Sequence, residues 1–227
     1  QVRLPMDDLI SPARGDLISV PPAGKAPLNG LVLRAGRNLE PGRYDEVLVN
    51  EPFAIAHGLS PGDHLSAVIN GKLRKLLIVG HALSPEYVFA VDTGLLMPDD
   101  ERFTPLWMLE DAIAAAYQME GAFNDLAVKL EPGANVDAVL SAIDRLLKPY
   151  GGLGAYAREH QLSHSILTSE IQGIETLVIF LPAVFLGVAA FLLNVVFSRL
   201  VTLQRPQIAV LKAMGYRNPT IALHYFK

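Results

Sequence analysis

The sequence predicts an α+β (mixed α/β) extracytoplasmic domain joined through a long stalk helix to one transmembrane helix and a short cytoplasmic amphipathic helix. Three observations predict it. Thr176 to Ser198 is an uncharged run of 23 residues, long enough at about 1.5 Å per residue to cross a hydrocarbon core of about 30 Å. Residues 199–227 carry five basic and no acidic side chains, whereas residues 1–198 carry 14 basic and 23 acidic ones, a balance of −9. Residues 1–158 alternate short β-branched runs with helical periods, the pattern of a mixed domain rather than a doubly wound one.

Taken in chain order, Gly30 to Ala35 and Glu46 to Asn50 contain the strand-like runs LVLR and EVLV, and Glu51 to His57 reads as a short helix stopped by Gly58. Pro21-Pro22-Ala23-Gly24 reads as a loop, and Ser60-Pro61-Gly62-Asp63 has turn chemistry. The clearest hairpin is HLSAVIN-Gly71-KLRKLLIVG, because Asn70-Gly71 suits a type I′ turn between two strands. Tyr87 to Val91 predicts a further strand, Pro105 to Met119 a helix, Asp125 to Leu130 a strand and Asn135 to Tyr150 a helix. In the last, Val136, Val139, Leu140, Ile143, Leu146 and Leu147 fall at helical spacing, so one face should pack on the sheet. Gly151-Gly152-Leu153-Gly154 breaks that pattern.

From Arg158 to Glu175 the apolar residues Leu162, Ile166, Leu167, Ile171 and Ile174 keep a helical period that runs directly into the uncharged span. The division is therefore domain 1–158, stalk 159–176, transmembrane helix 177–200 and cytoplasmic segment 201–227. Hydrophobic residues make up 51% of the 227 and mean hydropathy is +0.30, with the excess concentrated in the span. Pro182 and Gly187 are more at home in a spanning helix than in a soluble one, and Asn194 is its strongly polar side chain. The positive-inside rule places the basic C-terminal segment in the cytoplasm and the acidic domain outside. Five scattered cations directly after a span are explained by topology, so nucleic acid is not an expected partner. Gln1 to Ser11 lacks the pattern of a signal peptide, and the chain is expected to begin mid-protein.

The chemistry expected of a catalyst is missing from the sequence. Without cysteine there is no thiolate metal site, disulfide or cysteine nucleophile. Gly24-Lys25 and Gly71-Lys72 lack the remainder of a Walker A loop, and Gly151, Gly152 and Gly154 do not follow the dinucleotide fingerprint. His160 and His164 stand at ligand spacing but without the acidic partner of an H-E-x-x-H helix. Asp99-Asp100-Glu101 reads as a solvated helix N-terminus, and His57 with Ser60 lacks a nucleophile elbow. No catalytic residue, cofactor or metal is expected.

After the span, Leu203, Ile208, Leu211 and Met214 form an apolar stripe and Gln204, Arg205, Gln207 and Lys212 a polar one, with Pro206 suited to a first helical turn and Gly215 to a C-terminal cap. Physics alone allows a helix lying on lipid headgroups. The string LQRPQIAVLKAMGYRNPTIALHY, however, resembles the cytoplasmic loop of FtsX-like permeases, the membrane subunits of MacB-type ABC transporters. DEVLVNEPFAIAHGLSPGD followed by NGK and IVG is similar to the MacB-like periplasmic core domain. With the joining helix, these motifs span residues 31–227 in the family's order.

The resemblance implies a four-helix inner-membrane permease subunit with its large domain in the periplasm. On that reading the span here is the second membrane helix, and the first, third and fourth, with the start of the outer domain, lie beyond this chain. The implied partners are an ABC ATPase subunit, a second permease copy, membrane lipid and a membrane-fusion or periplasmic adaptor protein. Gln204, Arg205, Ile208, Leu211, Lys212, Met214 and Gly215 would contact the ATPase, and Pro182 and Asn194 would supply a bend and an interhelical bond. Pro206 stands where relatives commonly carry an acidic residue. The alternative reading is a single-pass receptor or adaptor. Neither reading identifies a substrate.

Overall fold

The computed structural model describes residues 1–6, 9–21, 28–92 and 97–225. The chain divides into two compact units, residues 1–169 and 170–227. The first is built on β1 (Val2–Leu4), β2 (Ala13–Val20), β3 (Val32–Gly36), β4 (Glu46–Asn50), β5 (His64–Ile69), β6 (Lys72–Leu83) and β7 (Phe103–Leu109). Its helices are α1 (Glu51–Ala56), α2 (Glu110–Tyr117) and α3 (Val136–Leu147), and it also contains the start of α4 (Leu162–Leu203).

The predicted hairpin organises the sheet. Asn70 and Gly71 both have positive φ, 48° and 73°, as a type I′ turn requires, and the turn sets the antiparallel register from His64↔Leu77 to Ile69↔Lys72. At 12 residues β6 outlasts β5, so its remaining length pairs with β3 on the same edge and with β4 on the other. From β4 the pairing continues through β7, β2 and β1, and a single bridge from Arg3 to Val68 returns to β5. Six strands thus close a barrel-like ring, with parallel joints at β2–β7 and β4–β6. Gly36 and Gly80 let β3 approach β6 at an irregular register: a Cβ on Gly80 would lie 2.6 Å from the Ala35 carbonyl oxygen.

α1 packs on β4 and β6, and α2 packs on β7 and β2. β4 and β7 are consequently buried along their whole length, and Phe53, Leu48, Leu106 and Trp107 are among the largest side chains of the core. This explains one correction. The run predicted as a helix from Pro105 to Met119 is strand as far as Leu109 and helix only from Glu110 to Tyr117. A strand covered on both faces reads as an unbroken apolar run, which periodicity does not distinguish from a buried helix.

The strands expected at Gly30 to Ala35 and Glu46 to Asn50, the helix stopped at Gly58 and the turn at residues 60–63 are present. In that turn the Ser60 N–H donates to Asp63 Oδ2 at 2.7 Å. Tyr87 to Val91 is not a strand. Its neighbourhood is instead a turn on Ser84, whose loop is held by the start of α4 and the residue before it: Gln161 Nε2 donates to the Glu86 carbonyl at 2.6 Å, and the Phe89 N–H donates to Ser163 Oγ at 3.0 Å. Asp125 to Leu130 is not a strand either, because no neighbouring strand accepts it.

α3 forms where predicted, capped by Asn135 Oδ1 accepting from the Ala138 N–H at 3.1 Å, and a short 3₁₀ turn, Lys148–Tyr150, follows it before Gly151 takes a positive φ. It buries no residue and does not pack on the sheet, contrary to expectation. β1 and β2 are strands that local pattern missed, and the stalk starts at Leu162, after a 3₁₀ turn at Arg158–His160, rather than at residue 159. The predicted loop at Pro21 to Gly24 lies, apart from Pro21, outside the described residues.

A charged corner braces β4. The Glu46 side chain is fully buried, and Arg37 donates to both of its carboxylate oxygens, at 3.0 and 2.5 Å, while the Glu40 N–H adds a third bond at 3.1 Å. The Arg37 bonds hold the Glu46 carboxyl below its ordinary value, against the opposing effect of burial. A carboxyl with a lowered folded pKa stabilises the protein above its unfolded value of 4.5, and that contribution is lost as pH falls through the folded value. Glu46→Gln should therefore lower the thermal midpoint near neutrality and flatten its fall as pH drops below 4.5, as checked by melting across an acid series.

Candidate functional site

The candidate site is the long apolar helix with the short helices after it. α4 runs 42 residues without interruption, and its most apolar window has a mean hydropathy of 2.6 with no residue buried within the protein. It is long and apolar enough to cross a membrane. Apolar residues cover its whole circumference, as for a helix surrounded by hydrocarbon rather than one resting a single face on a core. Its hydroxyls are satisfied within the helix: Thr176 Oγ1 donates to the Gln172 carbonyl at 3.0 Å and Thr202 Oγ1 to the Ser198 carbonyl at 2.8 Å.

Pro182 lies inside α4, where its ring removes the N–H that would bond the Val178 carbonyl. Asn194 Oδ1 accepts from Ser198 Oγ at 3.2 Å, so the polar pair sits one turn apart toward the end of the uncharged run. Both Pro182 and Asn194 are exposed on the helix surface.

α4 stops at Leu203 through a single residue. Gln204 leaves helical geometry, at φ −95° and ψ 6°, yet its N–H still bonds the Leu200 carbonyl and its own carbonyl accepts from Ile208. α5 (Arg205–Ala213) then begins with Pro206 in its first turn, where a missing N–H costs nothing. Its end is closed by the Tyr216 N–H bonding the Leu211 carbonyl at 3.2 Å, with Gly215 at φ +89°.

A further helix, α6 (Asn218–Tyr225), folds against α5. It was not read from the sequence, although Asn218-Pro219 before Ile221 is a helix-start signal. Ile221 is buried.

α6 changes how the stripe on α5 divides. Gln204, Ile208 and Leu211 are half-buried on one face, whereas Leu203 and Met214 are exposed at 73% and 62%. The predicted stripe therefore has an inward part and an outward part. Arg205, Lys212 and Gly215 are exposed. Met214 with Val210, one turn earlier, is the apolar surface that α5 presents outward.

The remaining candidates have structural roles. His57 Nε2 lies 2.8 Å from the Glu101 carbonyl, and its ring sits 4.4 Å from Phe53. Asp99 Oδ1 accepts from the N–H groups of Glu101 and Arg102, so Asp99-Asp100-Glu101 is a turn leading into β7 and not a helix N-terminus. His160 belongs to the 3₁₀ turn and lies 3.7 Å from Glu159, while His164 is in α4. Among the described residues, no three His, Cys, Asp or Glu side chains converge as metal ligands.

Fold and site together define an α+β domain with a barrel-like sheet, carried on one long apolar helix that ends in a helical pair. Compared with known proteins, the chain matches no family model and no curated protein.

Proposed function

We propose that this chain is part of a membrane permease subunit of an ABC transporter of the FtsX/MacB class, passing ATP-driven motion from a separate ATPase to an extracytoplasmic domain for export or mechanotransmission. The observation that carries the reading is α4. It starts in the folded domain, where Ser163 and Gln161 bond the 86–89 loop, and continues without a break through the uncharged span. Such a helix joins a domain on one side of a membrane to α5 on the other. The basic residues Arg199, Arg205, Lys212 and Arg217 beyond the span support a cytoplasmic α5 in an inner membrane, with the domain in the periplasm. The outward surface of Met214 and Val210, on a helix that also exposes Arg205 and Lys212, supports docking of an ATPase groove there.

In a reconstituted complex with the cognate ATPase, Met214→Asp should reduce permease-stimulated ATP hydrolysis by tenfold or more, about 1.4 kcal/mol in docking. Being exposed, it should leave the thermal midpoint unchanged. Stimulation equal to wild type would sink the assignment. Leu211→Asp is a poorer probe, because Leu211 is half-buried and its loss would also disturb the helical pair.

A second reading, a single-pass extracytoplasmic receptor or adaptor, draws on the one candidate span among the described residues. It requires no ATPase, so Met214→Asp would be silent in ligand capture by the outer domain.

A further inference from the structure

Asp125 to Leu130 has the residues of a strand and none of its bonds. Its sequence alternates, with Leu126, Val128 and Leu130 on one side and Asp125, Ala127 and Lys129 on the other, and it runs free of helix, turn and bend. Leu126 and Val128 are exposed at 52% and 50%. Among the described residues, no backbone N–H or C=O from Phe123 to Leu130 is hydrogen-bonded to another part of the chain. α3, which follows after Asn135, is uncovered as well: none of its residues is buried, and Leu146 is exposed at 71%. A strand pattern whose backbone groups and apolar side both lack a partner is a template for an added strand.

The charges of the segment say which strand fits. In a two-fold antiparallel pair that keeps both apolar sides together, the register is set by the residue that lies on the axis. With Ala127 on the axis, Asp125 stands opposite the partner's Lys129, Lys129 opposite the partner's Asp125, and Leu126 opposite the partner's Val128. Opposite charges and apolar side chains placed directly across from each other are what stabilise such a pair. With Val128 on the axis, Asp125 would instead meet the partner's Glu131, a like-charge pair, and with Leu126 there, Lys129 would meet the partner's Phe123. The segment is therefore complementary to itself in one register. Two strands alone are marginal, and an apolar helix laid on them supplies what they lack, which gives the uncovered face of α3 a surface to pack on.

We propose that Asp125–Leu130 pairs antiparallel with the same segment of a second copy of this chain, about an axis through Ala127, so that the two α+β domains are joined by a two-stranded ribbon. A second copy is also a partner of the proposed permease, but the pairing is argued from residues 123–147 and needs neither α5 nor an ATPase. ATP hydrolysis by Met214→Asp therefore bears on the permease reading and not on this one.

Because the chain has no cysteine, an introduced thiol reports a single contact. The test uses the full chain in membrane vesicles under mild oxidation. Ala127→Cys meets its own counterpart at a Cα separation of about 4.5–5.5 Å, within reach of a disulfide. Lys129→Cys lies four residues out of register from its counterpart, about 13 Å along the strands. The linked dimer is expected to form at least tenfold faster with Ala127→Cys than with Lys129→Cys, and a mixture of Asp125→Cys and Lys129→Cys chains should link faster than either alone. Added to Ala127→Cys, Asp125→Lys should slow linkage at least fivefold, and Lys129→Asp on top of it should restore the rate. All these positions are exposed, so folding is not at risk. Equal rates at positions 127 and 129, a rate unmoved by Asp125→Lys, or no rescue by Lys129→Asp would overturn the proposal and leave the edge to a different chain.

Discussion

Trp107→Ala is expected to destabilise the barrel domain by about 3–5 kcal/mol, the usual range for removing a large buried aromatic side chain. Trp107 is 1% exposed and stands at the joint of two pairings, opposite Ile18 of β2 in parallel register and Leu48 of β4 in antiparallel register. Its removal leaves a void against both neighbours. Little can collapse into it, because β7 is fixed along seven residues to β2. Pulse proteolysis in a urea series measures the effect on this unit separately from the helical one. A loss below about 1 kcal/mol would contradict the packing described for β7.

The second large effect concerns the apolar helix. Leu186→Arg puts a charge next to the midpoint of the 23-residue uncharged run, where a guanidinium costs about 2.5–3.5 kcal/mol on insertion. Inserted and non-inserted forms should shift by roughly two orders of magnitude, scored by the fraction resisting alkaline extraction from membranes. The same change at the exposed stalk position Ile171 should be nearly neutral. Full retention of Leu186→Arg would mean that the helix does not cross the bilayer. Complete loss with both variants would place the effect in folding of α4 instead.

The elements legible from local sequence share a property: their signal is contained within the element itself. The Asn70-Gly71 turn needs two positive φ values that few residue pairs supply, and those values are what the turn adopts. α3 is announced by its apolar period and by Asn135, and α4 by an uncharged run continuous with a helical one. The misreadings also share a cause. β7 was obscured by burial on both faces, and β2, with Gly15 and Asp16 in its sequence, is a strand because β7 and β1 lie beside it. Asp125 to Leu130 has the alternation of a strand but no partner, so propensity alone does not make it one.

After the span, residue pattern located α5 with Pro206 in its first turn and Gly215 at its end, but not the one-residue break at Gln204 that ends α4 at Leu203. It did not divide the stripe. Ile208 and Leu211 are half-buried on an α5 that has α6 against it, whereas Met214 is exposed.

By itself, then, the sequence determined the uncharged span, the charge asymmetry around it, the hairpin turn and the helical periods, because length, charge and φ preference belong to contiguous residues. Tertiary structure alone decided which strands close the ring and which face of α5 is left outward. Those outcomes depend on contacts between residues far apart in the chain, and such contacts leave no local trace.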